Sequence, residues 1–265
     1  MQSLRVRRSE SLRLGFVPRT EAAQVFKPLI DNVVKIYLRY HPEIRAIYLL
    51  GSISIGEHVP GLSDLDVIGI AESPADTDSD SQRRHDLTVL GTASKDVTFV
   101  DNNVLNLQDL GEGETGAIGK ARLLSISGIC VWGDPLDFSS YMPTVGTMAD
   151  ERTQRARALM AKYRRGDLIE PFKRDERLLI RSCAKAAMRV LSCITILRGE
   201  LFYTSPEQTY TAVLRCAPEA YSIAEQAITI IRGGAGTVDH SMSLCDQSLE
   251  LYDMLFPDLA RVKMQ

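Results

Sequence analysis

The chain has 265 residues and a mass of 29.4 kDa, which suits one large domain or two modest ones. Hydrophobic residues make up 45% of it and charged residues 25%, and no apolar run approaches the roughly 18 residues of a membrane-spanning helix. A membrane span and global disorder are therefore excluded. The net charge of −3 argues against a nucleic-acid-binding protein, whose domain is usually basic.

Residues 1–19 carry five arginines and a single acidic residue, Glu10. We predict a basic arm here that precedes the first domain. An Arg- and Ser-rich segment of this kind is typical of either a surface arm or an organelle transit peptide, and it lacks the apolar core of a secretory signal.

The next segment predicts a helix, two strands and a turn. Apolar residues recur at helical spacing over residues 20–40, and His41-Pro42 ends the pattern. A strand is predicted over residues 44–50, and it ends at Gly51-Ser52. Residues 65–71 are almost wholly apolar, as expected of a strand covered on both faces.

Residues 72–86 are rich in Asp and Ser and predict an acidic, solvated loop. A short element near residues 87–90 leads to a third predicted strand, residues 96–100. A glycine-rich loop at 111–116 precedes a helix over 117–126. A fourth strand is expected at 128–132.

From about residue 150 the pattern becomes helical throughout. Five helices are predicted, over residues 152–165, 175–197, 206–216, 217–231 and 238–255. The predicted fold is an α+β domain with a short mixed sheet at residues 20–145, followed by an all-α helical bundle at 146–265.

One segment carries most of the chemistry. Asp64 and Asp66 stand at positions i and i+2 at the start of a strand, so their carboxylates point to the same face. Two adjacent anions beside apolar residues are costly unless a cation neutralises them. Because Mg²⁺ is usually held by one or two carboxylates together with substrate phosphates, the pair predicts a magnesium site.

Gly51 and Ser52 supply the complementary half. A glycine at a strand end, followed by a helix start, lets backbone N–H groups approach a phosphate chain closely, and the Ser52 hydroxyl can donate to a phosphate oxygen. A third carboxylate, Asp96, opens the next predicted strand. It is expected to act either as general base on an attacking hydroxyl or as a ligand in a two-metal site.

This arrangement resembles the nucleotidyltransferase superfamily, whose pattern is a strand, Gly-Ser, about ten residues, Asp-x-Asp and then a third acid on a neighbouring strand. The residues that carry the match are Gly51, Ser52, Gly56, Ser63, Asp64, Leu65 and Asp66.

The resemblance extends to the streptomycin/spectinomycin adenylyltransferases of aminoglycoside resistance. Residues 96–100, Asp-Val-Thr-Phe-Val, are similar to the strand that carries their third acid. Residues 121–136 resemble their next helix and strand. Asp175-Glu176-Arg177 resembles the motif that opens their long helix, and Gly199-Glu200-Leu201 resembles the stretch that ends it.

The resemblance implies a Mg²⁺-dependent enzyme of antibiotic resistance. The odd number of cysteines, with no C-x-x-C spacing, predicts reduced thiols and a cytoplasmic protein. It would transfer a nucleoside monophosphate, with AMP from ATP favoured over other NTPs, to a hydroxyl of a small acceptor such as an aminoglycoside. It also implies that Asp175 contacts the acceptor and that Lys185 contacts the nucleotide. Asp64 and Asp66 would hold the metal, with Asp96 as metal ligand and general base.

Two other hypotheses remain open. The acceptor of the same chemistry could be a protein or a tRNA, as in toxin-type relatives, although the pI of 5.9 disfavours tRNA. Alternatively, the chain could be a non-catalytic nucleotide-binding module. The presence of all three acids disfavours that hypothesis.

Overall fold

The computed structural model describes residues 7–61, 63–74, 76–167 and 175–257. Contacts within the chain divide these residues into two compact units. Residues 16–142 form the sheet unit, and residues 143–257 together with residues 7–15 form the helical unit. The sequence instead placed the boundary between residues 145 and 146 and set residues 1–19 apart as an arm.

The sheet unit is built on a four-stranded mixed sheet in the order β3-β2-β1-β4. Its strands are β1 (Ile44–Leu50), β2 (Leu65–Ala71), β3 (Val100–Asn106) and β4 (Ile129–Gly133). β1 runs antiparallel to β2 and to β4, whereas β2 and β3 are parallel. β3 is therefore an edge strand of this sheet.

Helices cover both faces of the sheet. They are α1 (Thr20–Gln24), α2 (Lys27–Tyr40), α3 (Gly51–Ser54), α4 (Thr77–Ala93), α5 (Leu107–Gly111) and α6 (Thr115–Ser127). Leu65, Val67 and Val100 point to the face packed by α2 and α4, and Ile68, Ile70 and Leu105 point to the face packed by α6. The single helix expected over residues 20–40 is interrupted at Val25 and Phe26, just before Pro28 occupies the first turn of α2.

The prediction of an acidic loop over residues 72–86 was wrong, because α4 begins at Thr77. The Asp76 side chain caps this helix by accepting a hydrogen bond from the Ser79 N–H at 2.9 Å. Asp78 and Asp80 lie in its first turn, where the helix dipole favours negative charge. The acidic run that resembles a solvated loop is thus a helix start.

The third strand also differs from its prediction. It spans Val100–Asn106, so Asp96 lies four residues before the strand begins. Of the glycine-rich loop predicted at 111–116, only residues 112–114 lie outside helices, because α5 ends at Gly111 and the next helix begins at Thr115.

Besides residues 7–9, which are also helical, the helical unit has five α-helices among its described residues, close to the predicted positions. They are α7 (Val145–Arg164), α8 (Glu176–Leu197), α9 (Pro206–Cys216), α10 (Tyr221–Ile231) and α11 (Val238–Leu255). α8 is the central helix, buried on most of its surface, with α7, α9, α10 and α11 packed around it. The predicted fold class, a small mixed sheet with flanking helices followed by a helical bundle, is confirmed.

Residues 7–15 pack on the helical unit rather than forming a separate arm, and residues 1–6 lie outside the described part of the chain. Ser11 bridges to Thr144 and Leu14 to Phe202. Leu12 is buried, and Arg8 pairs with Asp150 at 2.9 Å.

Within the described ranges, no helix has the length and apolar character needed to cross a bilayer. The five cysteines are all free, and Cys183, Cys193 and Cys245 are buried.

Candidate active site

Gly51 stands where β1 ends and the short helix α3 begins, and two constraints require a glycine there. Its φ is +70°, a left-handed backbone conformation that residues other than glycine rarely adopt. A Cβ built on Gly51 would also overlap the Asp66 carboxylate. The missing side chain therefore leaves the space that Asp66 occupies, and it brings the β1–α3 turn directly against this acid.

The turn after Gly51 is held by local hydrogen bonds. The Ser54 hydroxyl donates to the Gly51 carbonyl at 2.9 Å, and the Glu57 N–H donates to the Ser52 carbonyl at 2.8 Å. Ser52 is half-buried on this turn. Gly51 and Asp66 thus lie against each other, and Ser52 is the next residue of the turn.

A third carboxylate joins them from β3. The parallel register aligns Asp66 with Asp101, so the two residues lie on neighbouring strands about 4.8 Å apart. Asp66 alternates with Ile68 and Asp101 with Leu105, so both acids point to the α6 face of the sheet. Asp64 lies just before β2 and is half-buried.

The acids interact electrostatically. Asp101 is exposed on the edge strand, and partial loss of hydration, together with the charge on Asp64, raises its pKa. Asp64, Asp66 and Asp101 therefore form one acidic cluster at the amino ends of β2 and β3, beside the Gly51 turn.

The donor set of this cluster fits a hard divalent cation. Asp64 and Asp66 offer carboxylate oxygens at one strand end, and the glycine keeps the approach to Asp66 free of a side chain. No three His, Cys, Asp or Glu side chains in the described ranges form a complete metal-binding group. Since Mg²⁺ commonly completes its shell with water and substrate phosphates, two protein carboxylates suffice.

Asp96 is not part of this cluster. It is exposed in the segment that precedes β3, where its carbonyl accepts a hydrogen bond from the Gly61 N–H at 3.1 Å. In the parallel pairing of β2 with β3, which begins with Leu65 opposite Val100, Asp66 lies opposite Asp101. The structure thus places Asp101, and not Asp96, beside the Asp64–Asp66 pair.

The sequence offered little signal for Asp101. The run Asp101-Asn102-Asn103 reads as a turn because all three residues are common in turns and disfavoured in strands. Only the pairing register of β2 with β3 shows that Asp101 lies beside Asp66.

The other two predicted site residues lie in the helical unit. Asp175 is the N-cap of α8, where its carboxylate accepts hydrogen bonds from the Arg177 N–H at 2.9 Å and from the Arg177 guanidinium. These contacts lower the pKa of Asp175. Lys185 is half-buried on α8. Their predicted contacts with acceptor and nucleotide remain predictions.

The fold defines a class of protein in which a small mixed sheet bearing an acidic cluster is followed by a helical bundle. A solved structure with this fold is that of spectinomycin adenyltransferase AAD(9) from Enterococcus faecialis with ATP and spectinomycin. The match has a TM-score of 0.57 and 12% sequence identity, and it covers 86% of this chain and 99% of that chain. The resemblance predicted from the sequence is confirmed at the level of the fold.

A second match is to a toxin–antitoxin structure with AMP-PNP, at a TM-score of 0.32 and 20% identity, over 48% of this chain and 90% of that chain. A third is to the antitoxin complex of the tri-AMPylated HEPN toxin of Shewanella oneidensis, at a TM-score of 0.29 and 18% identity, over 49% and 90%. Because both TM-scores are low, these two matches support no inference about this chain. No protein-family model and no curated protein sequence matches this chain.

Proposed function

We propose that the protein is a Mg²⁺-dependent nucleotidyltransferase that transfers a nucleoside monophosphate, with AMP from ATP as the favoured case, to a hydroxyl group of a small molecule. The observation that carries this proposal is the acidic cluster of Asp64, Asp66 and Asp101, formed against a glycine turn that leaves room for it. The fold shared with AAD(9) supports it.

Each residue has a role that follows from its position. Asp64 and Asp66 would hold Mg²⁺, which when bound neutralises charge on the substrate phosphates. The backbone at Gly51 and the Ser52 hydroxyl would bind the β- and γ-phosphates. In the helical unit, Lys185 and Asp175 are the candidates for contacts with nucleotide and acceptor on the sequence resemblance alone.

The reaction requires a proton acceptor beside the attacking hydroxyl. We assign this role to Asp101 in place of Asp96, because Asp101 lies next to the carboxylates that would hold the Mg²⁺ ion. The acceptor oxygen loses its proton to the Asp101 carboxylate and bonds to the α-phosphorus. The bond from that phosphorus to the α,β-bridging oxygen breaks, and pyrophosphate leaves.

Because AAD(9) is a spectinomycin adenyltransferase with the same fold, aminocyclitol and aminoglycoside antibiotics are the first acceptors to test. A protein or tRNA acceptor is an alternative outcome of the same experiment.

The test is pyrophosphate release in the presence of Mg²⁺ with each of the four NTPs, with and without spectinomycin, streptomycin and a wider aminoglycoside panel. The Asp64→Asn/Asp66→Asn double variant is the control. We expect release only with wild-type protein, Mg²⁺ and one class of acceptor. Circular dichroism checks that the double variant is folded.

Two results would contradict the proposal. Equal pyrophosphate release by the double variant would show that the acidic cluster takes no part in the reaction. Binding of MgATP without turnover, on any small acceptor or on the proteins and RNA of a cell lysate, would leave a nucleotide-binding module. Label found only on macromolecules would retain the chemistry and replace the small acceptor.

A further inference from the structure

The strand that carries Asp101 is supported by an unusual buried cation on the face of the sheet opposite the acidic cluster. Arg83, on α4, is 0% exposed and is the largest fully buried side chain among the described residues. An arginine is among the costliest side chains to bury, and an apolar residue of similar size is often as stabilising or more so. Its presence therefore calls for an explanation beyond core packing.

Arg83 makes a direct hydrogen bond to β3. Its Nη1 donates to the Asn102 Oδ1 at 2.8 Å, and its Nη2 donates to the Asp80 Oδ1 at 2.6 Å. Asn102 directly follows Asp101 and points to the opposite face of the strand. The guanidinium therefore holds Asn102, the residue next to Asp101. The guanidinium is itself held by the Asp80 carboxylate on the same helix.

The ring of Tyr37 adds a second point of support. The Arg83 guanidinium lies over this ring, with 4.8 Å from its Cζ to the ring centroid, and the Tyr37 hydroxyl donates to the Asn103 carbonyl at 2.9 Å. Gly69 of β2 makes room for the ring, since a Cβ there would lie 2.7 Å from Tyr37 Cε1. Both residues that follow Asp101 are thus fixed from the α2–α4 side.

This support matters because β3 is an edge strand, paired in this sheet with β2 alone. A slip of one residue in the β2–β3 register would turn Asp101 to the α4 face and away from Asp66. The polar run Asp101-Asn102-Asn103 has little apolar patterning to prevent such a slip. The hydrogen bond from Arg83 to Asn102 favours the observed register, which the apolar pattern of this run does not specify.

We propose that Arg83 is a positioning residue for nucleotidyl transfer, which fixes the register of β3 and so keeps Asp101 beside Asp64 and Asp66. The proposal rests on the proposed function, with Asp101 as the third carboxylate. Arg83 itself touches neither substrate nor metal in this account.

The test compares Arg83→Met with Arg84→Met. Arg84 also pairs with Asp80, at 2.7 Å, but its side chain is 65% exposed and its hydrogen bond goes to Asp80 and not to β3, so it controls for the loss of an Asp80 ion pair. Arg83→Lys tests rescue by charge. If Arg83→Met fails to fold, Asn102→Ala removes the acceptor on β3, together with the hydrogen bond that the Asn102 amide donates to the Val100 carbonyl at 3.2 Å. Two readouts are taken on the full-length protein: amide hydrogen exchange by mass spectrometry, and steady-state AMP transfer from ATP to the acceptor found in the pyrophosphate assay.

We expect Arg83→Met to increase exchange in residues 100–106 but not in β1. We also expect it to lower kcat by at least about tenfold while KM for ATP changes by less than about threefold, because a misplaced proton acceptor slows chemistry without weakening nucleotide binding. Arg83→Lys should recover part of kcat, and Arg84→Met should match the wild type in both readouts.

The proposal is overturned if Arg83→Met leaves the exchange of β3 unchanged, if β3 loosens while kcat is retained, or if Arg84→Met is equally damaging. The exchange arm requires no catalysis. Should the wild-type protein transfer no nucleotide, the proposed function would fall, and hydrogen exchange would still decide whether Arg83 holds β3.

Discussion

At the scale of single residues, Gly51 is where backbone conformation and site chemistry meet. Its positive φ and its contact with Asp66 both exclude a side chain. The strand-to-helix turn and the acid of the motif therefore depend on the same missing Cβ.

Gly51→Ala separates these two constraints when compared with Gly113→Ala. Gly113 has a similar φ of +77°, but a Cβ there would have no atom within 4 Å. Each variant should lose about 1 kcal/mol of unfolding free energy to the left-handed backbone. Only Gly51→Ala should also lose transfer activity, by at least about tenfold, because Asp66 must move. Urea denaturation and the pyrophosphate assay measure the two effects, and comparable activity in both variants would contradict the role of Gly51.

Residue identity alone located the Gly51-Ser52 and Asp64–Asp66 parts of the cluster, since both lie within one short stretch of sequence. It did not locate Asp101 or Arg83. Asp101 depends on the pairing of strands separated by helix α4, and Arg83 depends on the burial of a helix that reads as polar. Neither signal is local.

At the scale of elements, strands with strong apolar character were the most predictable. β1 and β2 have the bounds that the sequence predicts, because both are buried over nearly their whole length. β3 was misplaced because residues 101–103, which follow Val100, are polar and only one edge of the strand is paired in this sheet. α4 was missed because its burial is limited to a few residues, among them an arginine.

The packing of α8 against α11 predicts a specific dependence of stability on alkaline pH. Burial raises the pKa of the Cys183 and Cys245 thiols from 9.0 to about 12. The unfolded chain therefore loses these protons first, so the stabilisation is complete below pH 9 and is lost as the pH rises towards 12.

Over that range each thiol should lower the unfolding free energy by up to about 1.4 kcal/mol per pH unit. Urea denaturation between pH 8 and pH 11 measures the slope. The Cys183→Ala/Cys245→Ala variant should show a shallower slope against the same background of other titrating groups. An unchanged slope would mean that these thiols are more hydrated than the structure indicates.

At the scale of the whole molecule, the chain order of the two units is less simple than the sequence suggests. Residues 7–15 belong with the helical unit, and the chain returns to that unit only at Pro143. The Leu12 N–H donates to the Pro143 carbonyl at 3.1 Å, and the Gly15 N–H donates to the Phe202 carbonyl at 2.8 Å. Composition could identify a basic segment, but only long-range contacts show which unit it completes.

If this segment is an integral part of the helical unit, Leu12→Ala should destabilise the protein. We expect a loss of about 2–3 kcal/mol of unfolding free energy, as for other buried leucines. Val17→Ala is the matched surface control, because Val17 is 74% exposed, and it should change stability by less than about 0.5 kcal/mol. Equal stability of the two variants in urea denaturation would indicate that residues 7–15 do not contribute to folding.

The proposed function depends most on the composition of the acidic cluster, and Asp101→Asn and Asp96→Asn test that composition directly. Pyrophosphate release from MgATP with the responding acceptor would be measured for both variants beside the wild type. We predict that Asp101→Asn lowers the rate at least about a hundredfold, as expected for loss of a general base, whereas Asp96→Asn stays near the wild-type rate. Loss of activity in Asp96→Asn with Asp101→Asn still active would contradict the β2–β3 register and restore the assignment made from the sequence.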